Sequence, residues 1–267
     1  MSLFTTRIDR RSFAELSKEL KEIETQAMDL LRSQNNGSSS VTSSLLLNTE
    51  RNNRAELCRV EYIAGQSPSV AEWAAQNVQP IVEAVSGQKM HLFKDKINLK
   101  LPGGGAFGCH QDFAAYRHFK NTRYMTAMIA LDDATIENGC VEFAEDYTQV
   151  TRKLVPTSAD PEQHLFEIIE TGPNFGTIPV DVEQLFDWRP IPMTRGDMVI
   201  FDGFIPHRSG PNNTNTPRRA LFFTYNPAHI GNLYDEYYLR KRQSPGDPIF
   251  HVSTPTHRDG NRKTSDH

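Results

Sequence analysis

His110 and Asp112 stand two residues apart, and on an extended segment such a pair turns its side chains to the same side, so both can reach one metal ion. Taken alone the pair carries little weight, because nine histidines and an ordinary aspartate content make one such pair by accident as probable as not. A second feature lies far downstream. Arg195-Gly196-Asp197-Met198-Val199-Ile200-Phe201 reads as a turn launching a strand, residues 202–206 as the loop that follows, and His207 as the residue the loop presents. Two imidazoles and a carboxylate supply three ligands on one face and leave the remaining positions of an octahedral Fe(II) open for substrate and oxygen, which is an oxygenase arrangement. Structural zinc would call for a fourth protein ligand and catalytic zinc for a base nearby, and neither stands out.

Elements must position these groups. Phe13, Leu16, Leu20, Ile23, Ala27 and Leu30 recur at intervals of three and four, which predicts an amphipathic helix over 11–32 packed on the core. A polar loop over 35–44 follows. A second helical stretch starts at Ser69 as N-cap and runs through Trp73, Val78, Ile81 and Val85 to Gly87, with a kink or break at Pro80. From residue 90 the pattern changes to short alternating runs rich in β-branched and aromatic residues, giving strands at 91–101, 122–131, 139–144, 147–155, 177–180, 197–202 and 219–226. Such spacing, without helices regularly between the strands, predicts a mainly β chain with packed helices, an antiparallel sandwich or barrel rather than a parallel sheet. The polar insertion at 157–187 is long enough to be a lid, and the tail after Ser244 reads as polar and loosely ordered. The whole is expected to be a single domain, with a mainly helical packing region at 1–90, a β core at 91–226 and a C-terminal extension at 227–267.

Smaller features are weighed in turn. Lys94, Lys96, Asn98 and Lys100 share one face of the strand entering Gly103 to Gly105, with Phe93, Ile97 and Leu99 on the other. As a pattern this is the ordinary solvated face of an amphipathic strand. The glycines are a flexible turn and not a phosphate loop, since no helix with the required lysine follows. Phe113, Tyr116 and Phe204 adjoin the candidate ligands and are expected to line a pocket, while alternation points Cys109 away from the metal.

Ser209 follows His207 by two residues and Arg218 opens the next strand. The order His-x-Asp, Gly-Asp-x-Val-x-Phe, His-x-Ser and a later Arg, over about Lys94 to Arg242, resembles the phytanoyl-CoA dioxygenase family of Fe(II)- and 2-oxoglutarate-dependent oxygenases. The resemblance implies a double-stranded β-helix (jelly-roll, cupin-like) core. It implies His110, Asp112 and His207 as iron ligands, and Arg218 with Ser209 as the holders of the distal carboxylate of 2-oxoglutarate, with Arg219 the alternative if the register slips by one. A guanidinium fork suits that carboxylate. In related proteins residues of the lysine-bearing strand approach the cosubstrate and substrate, which implies Asn98 and Lys94 at the cosubstrate and Lys94, Lys96, Phe113, Tyr116 and Phe204 at the substrate. The run from Phe93 to Gly104, followed by His110-Gln111-Asp112, is similar to the phosphonate-hydroxylating branch. The expected substrate is therefore a small anion such as 2-aminoethylphosphonate. A carboxylated amino acid, a compatible solute, an acyl-CoA or a catalytically silent sensor role are the alternatives.

Composition bounds these readings. The 267 residues include 15 Phe, 8 Tyr and 2 Trp, enough apolar area for a sizeable core. The net charge of -4 lacks the basic excess that nucleic acid would favour. No apolar run approaches the roughly 20 residues of a membrane span. Three cysteines without CxxC spacing and an N-terminus too acidic for a transit peptide lead to the expectation of a cytoplasmic protein. Oligomeric state is not legible.

Overall fold

The computed structural model describes residues 3–35, 43–50, 53–120, 122–157, 177–252 and 255. Most of the expected loop at 35–44, most of the 157–187 insertion with its role as a lid, and the tail beyond Val252 apart from Pro255 lie outside them. The first part of the tail expected to be loosely ordered after Ser244 is instead packed, with a 3-10 turn at Pro248–Phe250 burying Ile249 and Phe250.

Eleven strands are described: β1 (Phe4–Arg7), β2 (Leu46–Glu50), β3 (Asn53–Glu61), β4 (Met90–Lys100), β5 (Phe107–His110), β6 (Met125–Ala130), β7 (Val141–Ala144), β8 (Trp188–Ile191), β9 (Asp197–Asp202), β10 (His207–Ser209) and β11 (Arg218–Pro227). They form a seven-stranded sheet in the order β1-β9-β6-β11-β4-β3-β2 and a four-stranded sheet in the order β5-β10-β7-β8. The named strand pairs are antiparallel, and the two sheets make the expected double-stranded β-helix. Strand alternation divides the apolar residues between two cores. Met128, Val199, Phe201, Ala220 and Phe222 of the large sheet meet Val141 and Phe143 of the small one. Ile97, Ala127, Ile129, Ile200 and Leu221 face the other way and are covered by Leu16, Leu20, Ile23 and Ala27 of the helix Arg10–Asn35.

Local chemistry accounts for the element ends. Gly196, at φ 89°, makes the tight turn into β9, where Asp197 Oδ2 accepts from the Thr194 amide and hydroxyl at 2.7 Å. The second helical stretch is two helices, Pro68–Asn77 and Gln79–Ser86, broken before Pro80 as expected. Its N-cap is Ser67, not Ser69, because the Ser67 hydroxyl accepts from Val70 N and Pro68 takes the first helical position, where its missing N–H costs nothing.

Several expectations are corrected. Residues 147–155 are not a strand but the helix Tyr147–Leu154, whose buried Tyr147, Val150 and Thr151 follow the 3.6-residue period instead of alternation. The strand at 177–180 reduces to one bridge, Thr177 to His110, before a turn of helix at Val180–Glu183. Besides their helices, the first ninety residues supply β1, β2 and β3 to the large sheet. The face of β4 bearing Lys94, Lys96, Asn98 and Lys100 is not solvated. These four are 5%, 6%, 6% and 1% exposed, because β4 pairs with β11 and β3 on its two sides and turns this face to the space between the sheets. Phe93 leaves the Ile97 and Leu99 face through a bulge opposite Thr224 and Tyr225, and packs with Tyr116, Phe119, Tyr124 and Tyr237.

Candidate active site

His110 ends β5 and His207 opens β10, and the register places them directly opposite one another, with ring centroids 4.2 Å apart. Asp112 lies just beyond β5, one carboxylate oxygen 3.7 Å from His110 Nε2. Ligand atoms of all three fall within 4.8 Å of each other, and all three residues are buried. Each imidazole is held the same way: His110 Nδ1 bonds the Gly108 carbonyl at 2.7 Å and His207 Nδ1 bonds the Ile205 carbonyl at 3.1 Å. With Nδ1–H donating, Nε2 of each ring is left with its lone pair.

The electrostatics agree with a cation site. Burial, reinforced by His207, pushes His110 down to about 3, and burial lowers His207 as well. Burial alone would raise Asp112, but Lys96 and the two histidines outweigh it and hold the carboxylate well below its usual range. Two neutral nitrogens and one carboxylate can thus take up a divalent ion without first losing protons. The loops are stapled together by Gln111 Nε2 donating to the Phe204 carbonyl, and by Phe113 N donating to Gly203 O at 2.9 Å.

Two cavities meet at this cluster. One is lined by Lys96, Asn98, His110, His207, Ser209 and Arg218 among others. The other is lined by Arg59, Lys94, Lys96, His110, Asp112 and Tyr116, and by Tyr237, Ile249, Phe250 and Val252 from the C-terminal segment. In the first, Arg218 is 4% exposed and gives Nη2 to the Gly139 carbonyl at 2.6 Å, while its buried Nε has no partner among the described residues. That orphaned donor beside Ser209 fits an incoming carboxylate. Arg219 faces the opposite side of the sheet, tied to Asp132 at 2.7 Å and to Glu24 at 2.6 Å.

In the second cavity, Arg59 donates to Asn98 Oδ1 at 3.1 Å and Lys94 donates to the Tyr237 hydroxyl at 2.9 Å. Burial drives the Lys96 ammonium down to about 7, with Arg59 adding to the effect, and burial lowers Lys94 also. Three basic side chains line a space whose own lining holds one carboxylate, Asp112, with the buried Glu61 behind it 3.7 Å from Arg59.

Of the residues expected from the sequence, Lys96 and Asn98 line the first cavity with Ser209 and Arg218, and Lys94, Lys96 and Tyr116 line the second. Lys94 is on the second side and not beside Arg218. Phe113 and Phe204 stack on each other at 4.2 Å and line neither of these two cavities. Arg59, Tyr237, Ile249, Phe250 and Val252 escaped sequence reasoning. The alternation of Arg59 and Glu61 with Cys58 and Val60 is a strand signal, but nothing local tells which strand it joins.

Fold and site together define a double-stranded β-helix protein with a buried two-histidine, one-carboxylate cluster. Residues 10–220 match the model of the phytanoyl-CoA dioxygenase (PhyH) family, and the chain belongs to that family. It is 37% identical over 187 residues to a methylphosphonate hydroxylase of Gimesia maris, covering 70% of this chain and 65% of that protein. It is 31% identical over 188 residues to a 2-aminoethylphosphonate dioxygenase of uncultured bacterium HF130_AEPn_1, again covering 70% and 65%. The chain thus spans just under two thirds of the length of these curated relatives. Among solved structures, EctD from S. alaskensis with 2-oxoglutarate and 5-hydroxyectoine superposes with a TM-score of 0.62 at 17% identity, over 85% of this chain and 73% of that one. The carbocyclase SnoK from nogalamycin biosynthesis gives 0.59 at 14% identity, over 97% and 89%. At these identities the likeness is one of fold.

Proposed function

We propose that the protein is an Fe(II)- and 2-oxoglutarate-dependent dioxygenase that hydroxylates a small organophosphonate. The observation that carries this reading is the meeting of two cation-lined cavities at His110 and Lys96, one holding Arg218 and Ser209, the other Arg59, Lys94 and Lys96. His110, Asp112 and His207 would hold the iron. Iron, with 2-oxoglutarate and O2, supplies the oxidising power to put one oxygen atom into a C–H bond, the cosubstrate leaving as succinate and carbon dioxide.

The protein's part is binding, orientation and exclusion of water. Arg218 and Ser209 take the distal carboxylate of the cosubstrate. Arg59, Lys94 and Lys96 compensate a phosphonate dianion, which without nearby cations would not enter a buried site. The Tyr237 hydroxyl, bonded to Lys94, fixes that ammonium, and Ile249, Phe250 and Val252 keep water from the carbon to be attacked. A long acyl-CoA would call for a wide apolar channel, whereas Tyr237, Ile249, Phe250 and Val252 crowd this small, cation-lined space.

The preferred substrate is 2-aminoethylphosphonate or a simpler alkylphosphonate, in line with the names of the two relatives. The test is anaerobic reconstitution with Fe(II), then substrate-dependent succinate release on admitting oxygen. The panel is 2-aminoethylphosphonate, methylphosphonate, carboxylates of equal length, a compatible solute and a CoA thioester. Preference for a carboxylate, solute or thioester refutes the phosphonate, and absence of succinate with every compound supports the silent sensor.

A further inference from the structure

Lys100 is the fourth member of the β4 face and lines neither cavity, yet it is 1% exposed. It lies directly opposite Arg218 in the β4–β11 register. Its Nζ donates to Ser209 Oγ at 2.7 Å and to the Gly210 carbonyl, with the Gly139 carbonyl at 3.5 Å. The three acceptors match the three N–H donors of an ammonium. Gly139, at φ 75°, makes the close approach possible, since a Cβ there would collide with the Gly210 carbonyl and crowd Lys100 Nζ.

With Nζ protonated, the state an anion in the adjoining cavity favours, Lys100 has no lone pair and Ser209 Oγ is the acceptor in their bond. The single Ser209 hydroxyl hydrogen is then free to point elsewhere, and no acceptor among the described residues takes it. Ser209 lines the Arg218 cavity, so that hydrogen is available to whatever occupies the cavity. Among the described residues neither Lys100 nor Arg218 has a carboxylate within ion-pair distance. Burial, followed by repulsion from Arg218, lowers the Lys100 ammonium to about 6, so an anion arriving beside Ser209 and Arg218 favours the charged form of Lys100 and offsets the repulsion between the two.

We propose that Lys100 is a positioning residue for the cosubstrate: by donating to Ser209 Oγ it turns the Ser209 hydroxyl into a fixed hydrogen-bond donor toward the distal carboxylate of 2-oxoglutarate. The inference rests on the cosubstrate reading above. Specificity for a five-carbon dicarboxylate would then come from a chain of Lys100, Ser209 and ligand as well as from the Arg218 fork.

The test is calorimetric titration of the anaerobic Fe(II)-loaded protein with 2-oxoglutarate and with 2-oxobutanoate, which keeps the oxoacid end and lacks the distal carboxylate. Lys100→Met and Ser209→Ala should each weaken 2-oxoglutarate on the order of 10- to 100-fold, the worth of a hydrogen bond to a charged group. Binding of 2-oxobutanoate should change by less than about twofold, and the double variant should be no worse than the weaker single one. Lys100→Gln, which keeps a donor without the charge, should recover part of the affinity; it also serves if Lys100→Met does not fold. Unchanged 2-oxoglutarate binding in the Lys100 variants overturns the inference. So does equal loss of both oxoacids, which would mark a merely structural tie. Failure of the unaltered protein to bind 2-oxoglutarate overturns the functional reading itself, and this inference with it.

Discussion

Each candidate iron ligand is prepared by a backbone neighbour. His110 and His207 both give Nδ1 to the carbonyl two residues upstream, leaving Nε2 turned to the shared centre. His207→Ala removes one of three ligands and should abolish stoichiometric iron binding, read by metal analysis after anaerobic loading; full retention of iron would refute the triad. The two consecutive arginines test the register. Arg218 is buried, its Nε without a partner among the described residues, whereas Arg219 is held by Asp132 and Glu24. Loss of a charged partner in a buried site costs about 2 to 5 kcal/mol. Arg218→Ala should therefore raise KM for 2-oxoglutarate steeply. Arg219→Ala should leave that constant alone and lower the thermal unfolding midpoint, and the reverse pattern would move the assignment by one residue.

At the scale of elements, the second cavity depends on chain far from the ligands. The helix Tyr234–Gln243 brings Tyr237 to Lys94 and Lys241 to Glu61 of β3. The Lys241 and Glu61 pair, at 2.7 Å, is 5% and 0% exposed. Burial would raise the Glu61 carboxyl, but Lys241, Lys94 and Arg59 together outweigh it and hold it far below its ordinary 4.5. Because the folded-state value lies below the unfolded one, the stabilisation is present above about pH 4.5 and is lost as the pH falls further. Denaturant unfolding followed from pH 7 to 3 should show this acid limb, and Glu61→Gln should flatten it. Lys241→Met removes the hydrogen-bonded partner of Glu61 and leaves its charge to Arg59 and Lys94, which should cost up to about 3 to 5 kcal/mol. Adding Glu61→Gln should recover much of that loss, and an additive double variant would argue against coupling.

For the whole molecule, the large sheet separates two cores with different duties. The helix Arg10–Asn35 covers its outer face, where Leu20 is 2% exposed. Leu20→Ala should cost about 2 to 5 kcal/mol through the cavity it leaves. Iron stoichiometry at a temperature well below unfolding should not change. Between the sheets, Phe143 is 0% exposed, its ring 4.9 Å from Phe201 and 5.8 Å from His207. Phe143→Ala should lower stability and iron affinity together. Equal effects of the two substitutions on iron would mean the cores do not divide in this way. The net charge of -4 excludes nothing about the interior, where Arg59, Lys94, Lys96 and Lys100 are concentrated.

What the sequence determined by itself is local and periodic. His110 and Asp112 share a side because a strand repeats every two residues, and the face of the first helix shows in its three-and-four spacing. The Gly196 turn announces β9, and the order of the motifs carries the family. Tertiary structure decided what depends on pairing between distant segments. The same Lys94 to Lys100 face would be solvated on an edge strand; it is buried because β3 and β11 flank β4 and the small sheet closes over it. Arg59 joins the site through its register opposite Asn98, and Tyr237 and Phe250 join it through the packing of the C-terminal segment. Residues 147–154 resolve as helix because the buried surface beneath them accepts one stripe of a helix. Alternation states which residues share a face, but only the neighbouring strands and the layer above decide whether that face meets water or the interior.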